Sequence, residues 1–312
     1  MIINSIVSGV KKISQSKRMV GIFYLTNLLM GLLVMFPLRG MLSDFAGNSL
    51  ATKNLVGGLN VDFLFEFLTN NSGGGQMLSG LVLLVACLSW LIVLFLTGGA
   101  LSILMKGEPY DRASFWGNSA KYFGRMFRLW LFSLPVFLVL YLVQMIVPLV
   151  VRLAYGSDPY ENIKFWGNFI RVGIGYIGII CYYLVFDYAR MVVIKNDEKR
   201  MTVALFRGLR FTFTNIGRTF VLGLIFFVLG IASLYLYNVI AGRFSGESAF
   251  IVFFVILLQQ LYILFKSLVK LSLYSSEVEV FTQLVPPEPE PVVELPILPE
   301  PEPPQTELGV TV

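Results

Sequence analysis

The sequence predicts an all-α fold: a polytopic membrane helix bundle with six transmembrane helices, interfacial amphipathic helices and a disordered C-terminal tail. Three observations carry this expectation. Of 312 residues, 56% are hydrophobic and only 14% are charged, whereas a soluble domain is about 25% charged. Six stretches hold the roughly 20 mostly apolar residues that a membrane-crossing helix needs. Lysine and arginine then fall unevenly among the connecting segments, the asymmetry that orients membrane bundles.

The spans, in order, are about 19–38, 77–105, 129–151, 172–194, 217–240 and 250–273. Each is continuously apolar, whereas a transmembrane β-barrel would alternate in segments of about ten residues. The first, with its core from Gly21 to Leu38, is long, and no small-residue cleavage site follows it cleanly, so it reads as a retained helix. Alternate connecting segments sum to eighteen basic residues on one side and six on the other. The rich side is expected to be cytoplasmic. That places both termini in the cytoplasm and loops 40–76, 152–171 and 241–249 outside, in a multi-pass protein of the inner (cytoplasmic) membrane.

The N-terminal segment carries Ile2, Ile3, Ile6, Val7, Val10 and Ile13 on one helical stripe. In the loop before the third span, Phe115, Trp116, Ser119, Phe123, Met126, Phe127 and Trp130 recur at three or four residues. Lys121, Arg125 and Arg128 share another face. Two readings stand: a helix lying in the lipid interface with its cations on anionic headgroups, or a cytoplasmic extension of the next span. Arg207, Arg210 and Arg218 take the same headgroup role in the loop before the fifth span. The two loops share A-x-F-x-G followed by G-R-x-F, in Ala113 to Gly117 with Gly124 to Phe127, and in Ala204 to Gly208 with Gly217 to Phe220. The offset of about 92 residues suggests a duplicated helix–loop–helix unit, like the parallel repeats of some transporters.

In the outer loop, Phe63, Leu64, Phe67 and Leu68 share one helical face, with Asp62 and Glu66 on the other. Gly73-Gly74-Gly75 reads as a flexible lead into the second span, and Asn70-Asn71-Ser72 fits a glycosylation sequon. From Glu277 to Val312 there are nine prolines, eight glutamates and no basic residue. Such a segment favours extended polyproline II. The expected division is therefore a six-helix domain over 1–276 and an acidic cytoplasmic tail over 277–312.

The composition contains no histidine, which removes the usual general base and the commonest metal ligand. Cys87 and Cys181 sit in apolar runs and read as small buried apolar side chains. No metal site, cofactor or catalytic set is expected, and the chain is not expected to be an enzyme. Gly173, Gly175 and Gly178 match G-x-G-x-x-G but lie inside a span without a preceding strand, so they read as helix-packing positions. Asn27, Gln144, Asn238, Gln259 and Gln260 read as interhelical hydrogen bonders. Asp187 and Arg190 form a charged pair on one helical face at the membrane edge. An intramembrane charge is a functional-site hypothesis, whereas an interfacial pair is structural.

Asp187-Tyr188-Ala189-Arg190, with Ala204 through Gly208 and Gly217-Arg218, resembles a broad group of uncharacterised bacterial six-helix membrane proteins. These are similar to the membrane domain of some glycerophosphodiester phosphodiesterases. The resemblance covers most of the body and omits the tail. It implies the membrane fold without the phosphodiesterase domain, and a chain without histidine carries none of that domain's catalytic residues. The expected function is a non-enzymatic scaffold or accessory subunit of a membrane complex. Its partners would be membrane lipids, other subunits and a cytoplasmic protein at the Pro-rich tail, with no nucleic acid. The alternative is a transporter or lipid-handling protein. A polar cavity reaching mid-membrane between spans two and five would favour the alternative; a solid apolar bundle would favour the scaffold.

Overall fold

A computed structural model describes residues 2–46, 72–156, 158–244 and 248–285. Eight helices fill them: α1 (Ile2–Gln15), α2 (Lys17–Ala46), α3 (Ser72–Lys106), α4 (Arg112–Tyr155), α5 (Glu161–Lys195), α6 (Met201–Thr214), α7 (Ile216–Ala241) and α8 (Ala249–Leu284). No strand occurs among the described residues. α2, α3, α4, α5, α7 and α8 are long and apolar enough to cross a membrane. The Asp62/Glu66 face, Asn70 and Asn71 of the sequon, and residues 286–312 lie outside the described residues.

Most helices outrun their apolar stretches. α4 has 44 residues, about 66 Å at 1.5 Å per residue, against a hydrocarbon core of about 30 Å. Its surplus is the segment 112–128. Asp111 caps this helix by accepting the Ser114 backbone N–H at 2.8 Å, and that hydrogen bond holds the Asp111 carboxyl below its ordinary pKa. The first basic loop is therefore an extension of the third span and not a separate interfacial helix. Phe115, Ser119 and Met126, expected on its lipid face, are fully buried in the bundle. Gly73-Gly74-Gly75 belong to the first turn of α3, so the flexible lead predicted there is helical.

The tail boundary also moves. Residues 277–284 continue α8, and Glu277, Val278, Val280 and Phe281 are buried. Composition alone places them in the tail, because Glu277 and Glu279 precede the prolines; packing against α1 and α7 overrides it.

Consecutive long helices pack side by side, and α8 closes the bundle against α2 while also meeting α1, α3, α5 and α7. Polar contacts join α2 to α8. Tyr24 donates to Gln260 Oε1 at 3.1 Å, and Asn27 Nδ2 donates to Ser267 Oγ at 3.4 Å. Gly175 and Gly178 do face α4, under Gln144 and Leu140, whereas Gly173 meets nothing within 4 Å. Cys181 is half-buried, but Cys87 is exposed, so the latter is not the buried side chain expected.

Burial concentrates at one end of the bundle, where α1, α6, the start of α4 and the end of α8 gather. We term it the basic end. Glycines there permit close approach. A Cβ at Gly99 would lie 2.6 Å from the Phe115 carbonyl oxygen, and one at Gly208 would lie 2.7 Å from the Ala189 backbone nitrogen. α1 is held by its Ser5, Gly9 and Ile13 face against α8, leaving Ile3, Val7 and Val10 exposed. Lys12 reaches across to donate to the Leu104 carbonyl at 2.8 Å, in the last turn of α3, where cations meet unpaired carbonyls. Burial lowers the Lys12 pKa, partly offset by Glu279.

The proposed repeat does not extend to packing. Phe115 is 0% exposed, whereas its counterpart Phe206 is 71% exposed. Gly117 meets nothing within 4 Å, while its counterpart Gly208 lies against Ala189. α4 is continuous where the second unit breaks into α6 and α7 around Asn215.

Candidate intramembrane site

The charges of the basic end converge on a cavity of about 690 Å³ between α3, α4, α5, α7 and α8. α5 supplies Asp187 and Arg190, one helical turn apart. Arg190 donates to Asp187 Oδ1 at 2.5 Å. Asp187 is 4% exposed, so this pair is buried and not simply interfacial. α8 contributes Lys266, Lys270, Tyr274 and Glu277, which share one face because their spacings are four, four and three. Spans two and five, as the sequence frames them, contribute Thr97 and Gly223 to the wall.

The cavity is amphipathic. Trp90, Trp130, Phe137, Tyr182, Tyr183 and Phe227 supply aromatic wall. Trp90 and Trp130 lie 4.0 Å apart by ring centroid, and Tyr182 donates to Ser133 Oγ at 2.7 Å, fixing α5 against α4. Asp187 and Glu277 are buried, whereas Leu134, Phe137 and Tyr183 are exposed along the outward-facing side. The cavity therefore runs from a charged inner end to a largely apolar rim on the bundle surface, where Lys266 is also exposed.

Glu277 stands out within it. Its Oε2 is buried without a hydrogen-bond partner. Tyr188, beside it in the core, packs on Phe211 and Phe281, and its hydroxyl is also without a partner. A buried polar atom left unpaired costs about 1–3 kcal/mol, so such atoms mark places where a ligand group can gain.

A second, shallower basic site lies outside. Lys121 Nζ meets Asp197 Oδ1 at 3.0 Å and Arg125 meets the same oxygen at 2.7 Å. Together they hold the Asp197 carboxyl at a pKa of about 2, with the Arg125 hydrogen bond the larger cause. Asp197 itself sits at φ 46°, a left-handed conformation that Asp tolerates better than most residues. Arg128 and Lys199 join Lys121 and Arg125 around a depression of about 280 Å³. Arg207 lies 3.7 Å from Glu198. Three of the six residues expected on lipid headgroups thus have an acidic partner within the protein. Arg128, Arg210 and Arg218 are exposed. Phe206, Leu209 and Phe213 are exposed on α6 beside Arg207 and Arg210, so the interfacial pattern predicted for this loop has an outward apolar face.

Sequence reasoning found Asp187 and Arg190 but missed Lys270, Glu277 and the cavity. The signal was present in the polar face Lys266, Lys270, Tyr274 and Glu277; assigning Glu277 to the tail hid it. Among the described residues no cluster of acidic or cysteine side chains could hold a metal ion. No family model, curated protein or solved structure matches the chain.

Proposed function

We propose that this is a non-enzymatic lipid-handling protein of the inner membrane that holds the head of a membrane amphiphile between α3, α4, α5, α7 and α8. The observation that carries the reading is the cavity with buried charges at one end and an exposed apolar rim at the other. Charges within membrane spans mark substrate paths or pair with one another. Here a paired set lines a space large enough for a lipid head, since ligand pockets commonly run about 300–1,000 Å³. A scaffold calls for a solid apolar bundle at this position, and the cavity favours the lipid-handling alternative.

With both termini in the cytoplasm, the site lies in the inner-leaflet half. The outward faces of α1 and α6 then rest in the headgroup region, with Arg128, Arg210 and Arg218 near anionic lipid, each cation contributing about 1 kcal/mol. The test uses full-length protein stripped of lipid in detergent, reloaded from mixed membrane lipids and analysed for retained lipid by native mass spectrometry. The wild type should retain a stoichiometric lipid. Val93→Trp, which fills the cavity wall, and Leu134→Trp, which narrows its rim, should lose it while keeping the thermal midpoint. Equal retention in wild type and both variants would show that the lipid is merely peripheral.

A further inference from the structure

The charge balance of the cavity narrows its ligand class. Arg190, Lys266 and Lys270 face two carboxylates, Asp187 and Glu277. Asp187 is engaged by Arg190, and one positive charge is left over when all five groups are ionised. That surplus is carried by Lys266, which is exposed, and a cation inside a membrane span is stabilised by an anionic partner. Lys266 and Lys270 stand one turn apart on the same face of α8, with Lys266 exposed toward the rim and Lys270 half-buried behind it. That is a two-point cradle for an anion entering from the rim. Deeper in, Glu277 offers an unpartnered acceptor, Oε2, to a group that donates a hydrogen bond.

We propose that the cavity selects an anionic phospholipid whose head carries a phosphodiester and a terminal hydroxyl. This deepens the lipid-handling reading and rests on it. The phosphodiester lies between Lys266 and Lys270, the hydroxyl donates to Glu277 Oε2, and the acyl chains leave past Leu134, Phe137 and Tyr183. The order of groups along the cavity matches the order along such a lipid: acceptor innermost, cations next, apolar rim last. A zwitterionic choline head fits worse. Its own cation compensates its phosphate, leaves the excess protein charge unmatched, and supplies no hydroxyl donor to the carboxylate. The net charge of the cluster and the free carboxylate oxygen are independent observations, and they specify different parts of the same head.

The experiment titrates delipidated full-length protein with four probes: phosphatidylglycerol, phosphatidylmethanol (the phosphodiester without the hydroxyl), phosphatidylcholine and inorganic phosphate. Phosphatidylglycerol should bind at least about tenfold tighter than phosphatidylcholine, equivalent to about 1.4 kcal/mol, and phosphate should not compete at equal concentration. Lys270→Met should abolish that preference. Lys266→Met, at an exposed position that folding tolerates, should weaken it. Glu277→Met, which removes the acceptor, should bring phosphatidylglycerol and phosphatidylmethanol together while both still exceed phosphatidylcholine. Equal binding of glycerol and choline lipids, still blocked by Val93→Trp, would overturn the selectivity and leave lipid holding intact. Binding of every lipid unaffected by Val93→Trp would overturn the lipid-handling reading itself. Phosphate competing as well as the lipid would assign the site to a soluble anion and refute the proposal.

Discussion

The two ends of the bundle are built from similar apolar sequence and packed in different ways. At the basic end, Ile13, Met19, Phe23, Leu101, Leu104, Phe115, Met126, Tyr188 and Met191 are all nearly or fully buried. Glycines let helices meet there at backbone distance, and every charge of the cavity cluster lies toward that end. At the far end, large side chains face outward: Leu153 is 78% exposed and Phe250 is 74% exposed. Gly31, Gly80 and Gly230 meet nothing within 4 Å. Specificity therefore resides at the basic end. Lipid tails are as apolar as leucine, so helices gain little by excluding them. Close packing and polar pairing must hold the bundle, and these are concentrated at one end.

The largest difference between the two ends should come from stranding a charge at the basic end. Removing one partner of a buried ion pair costs about 3–5 kcal/mol, because the other is left uncompensated. Asp187→Ala should therefore lower the thermal midpoint in detergent more than any far-end substitution. Asp187→Ala/Arg190→Ala should recover part of the loss. If the double-mutant cycle is additive, the pair is not coupled and the basic end is held by packing alone.

Packing is tested next by truncating leucines at each end. Leu101 is fully buried, and Leu101→Ala should cost about 2–5 kcal/mol, the range for core cavities. Leu257 is 55% exposed on α8, and Leu257→Ala should change stability little, since the lipid or detergent that replaces its contacts is equally apolar. Comparable losses at the two sites would mean that the far end is as tightly held as the basic end.

The sequence made one side of this comparison legible and left the other obscure. Six apolar runs read directly as helices because a membrane leaves few other solutions for the backbone. Their extensions at the basic end did not read as well. At Phe115 and Met126 the same three-to-four spacing serves a helix facing lipid or one facing protein, and only the approach of α3 at Gly99 decides between them. At Glu277 local composition pointed to a tail, while burial depended on α1 and α5 arriving from distant sequence. Asp187 and Arg190 were readable because an i, i+3 charge pair in an apolar run is rare. Their neighbours on α8 were not joined to them, since no local rule connects residue 187 with residue 270.

Glycine substitution separates the ends at smaller magnitude. Gly208→Ala places a methyl 2.7–2.8 Å from Ala189 backbone and side-chain atoms, so α6 must move from α5. Overpacking of this kind typically costs about 1–3 kcal/mol. Gly31→Ala has open space and should be neutral or slightly stabilising, since alanine is the better helix former by about 1 kcal/mol. Opposite signs in thermal melts are expected. A loss at Gly31 matching that at Gly208 would erase the distinction between close and open helix contacts.

The smallest effect is at the surface of the basic end, in the contact of Asp197 with Arg125 and Lys121. Asp197→Asn keeps a residue that tolerates left-handed backbone and removes only the charge, so it isolates the ion pairing from the turn. The folded-state pKa of about 2 lies below the ordinary aspartate value near 3.9. The pairing therefore contributes stability above about pH 4, and that contribution fades as pH falls through about 2. Asp197 is half exposed, so solvent screening keeps the gain modest. The wild type should melt slightly above Asp197→Asn at pH 7, the gap should shrink in high salt, and it should close near pH 2. Because Asp197 joins the α5–α6 connection to α4, loss of the pair should raise hydrogen exchange in residues 196–200 without changing that of α8. A pH-independent gap would assign the contribution of Asp197 to its backbone conformation and remove ion pairing from the forces that set the basic end apart.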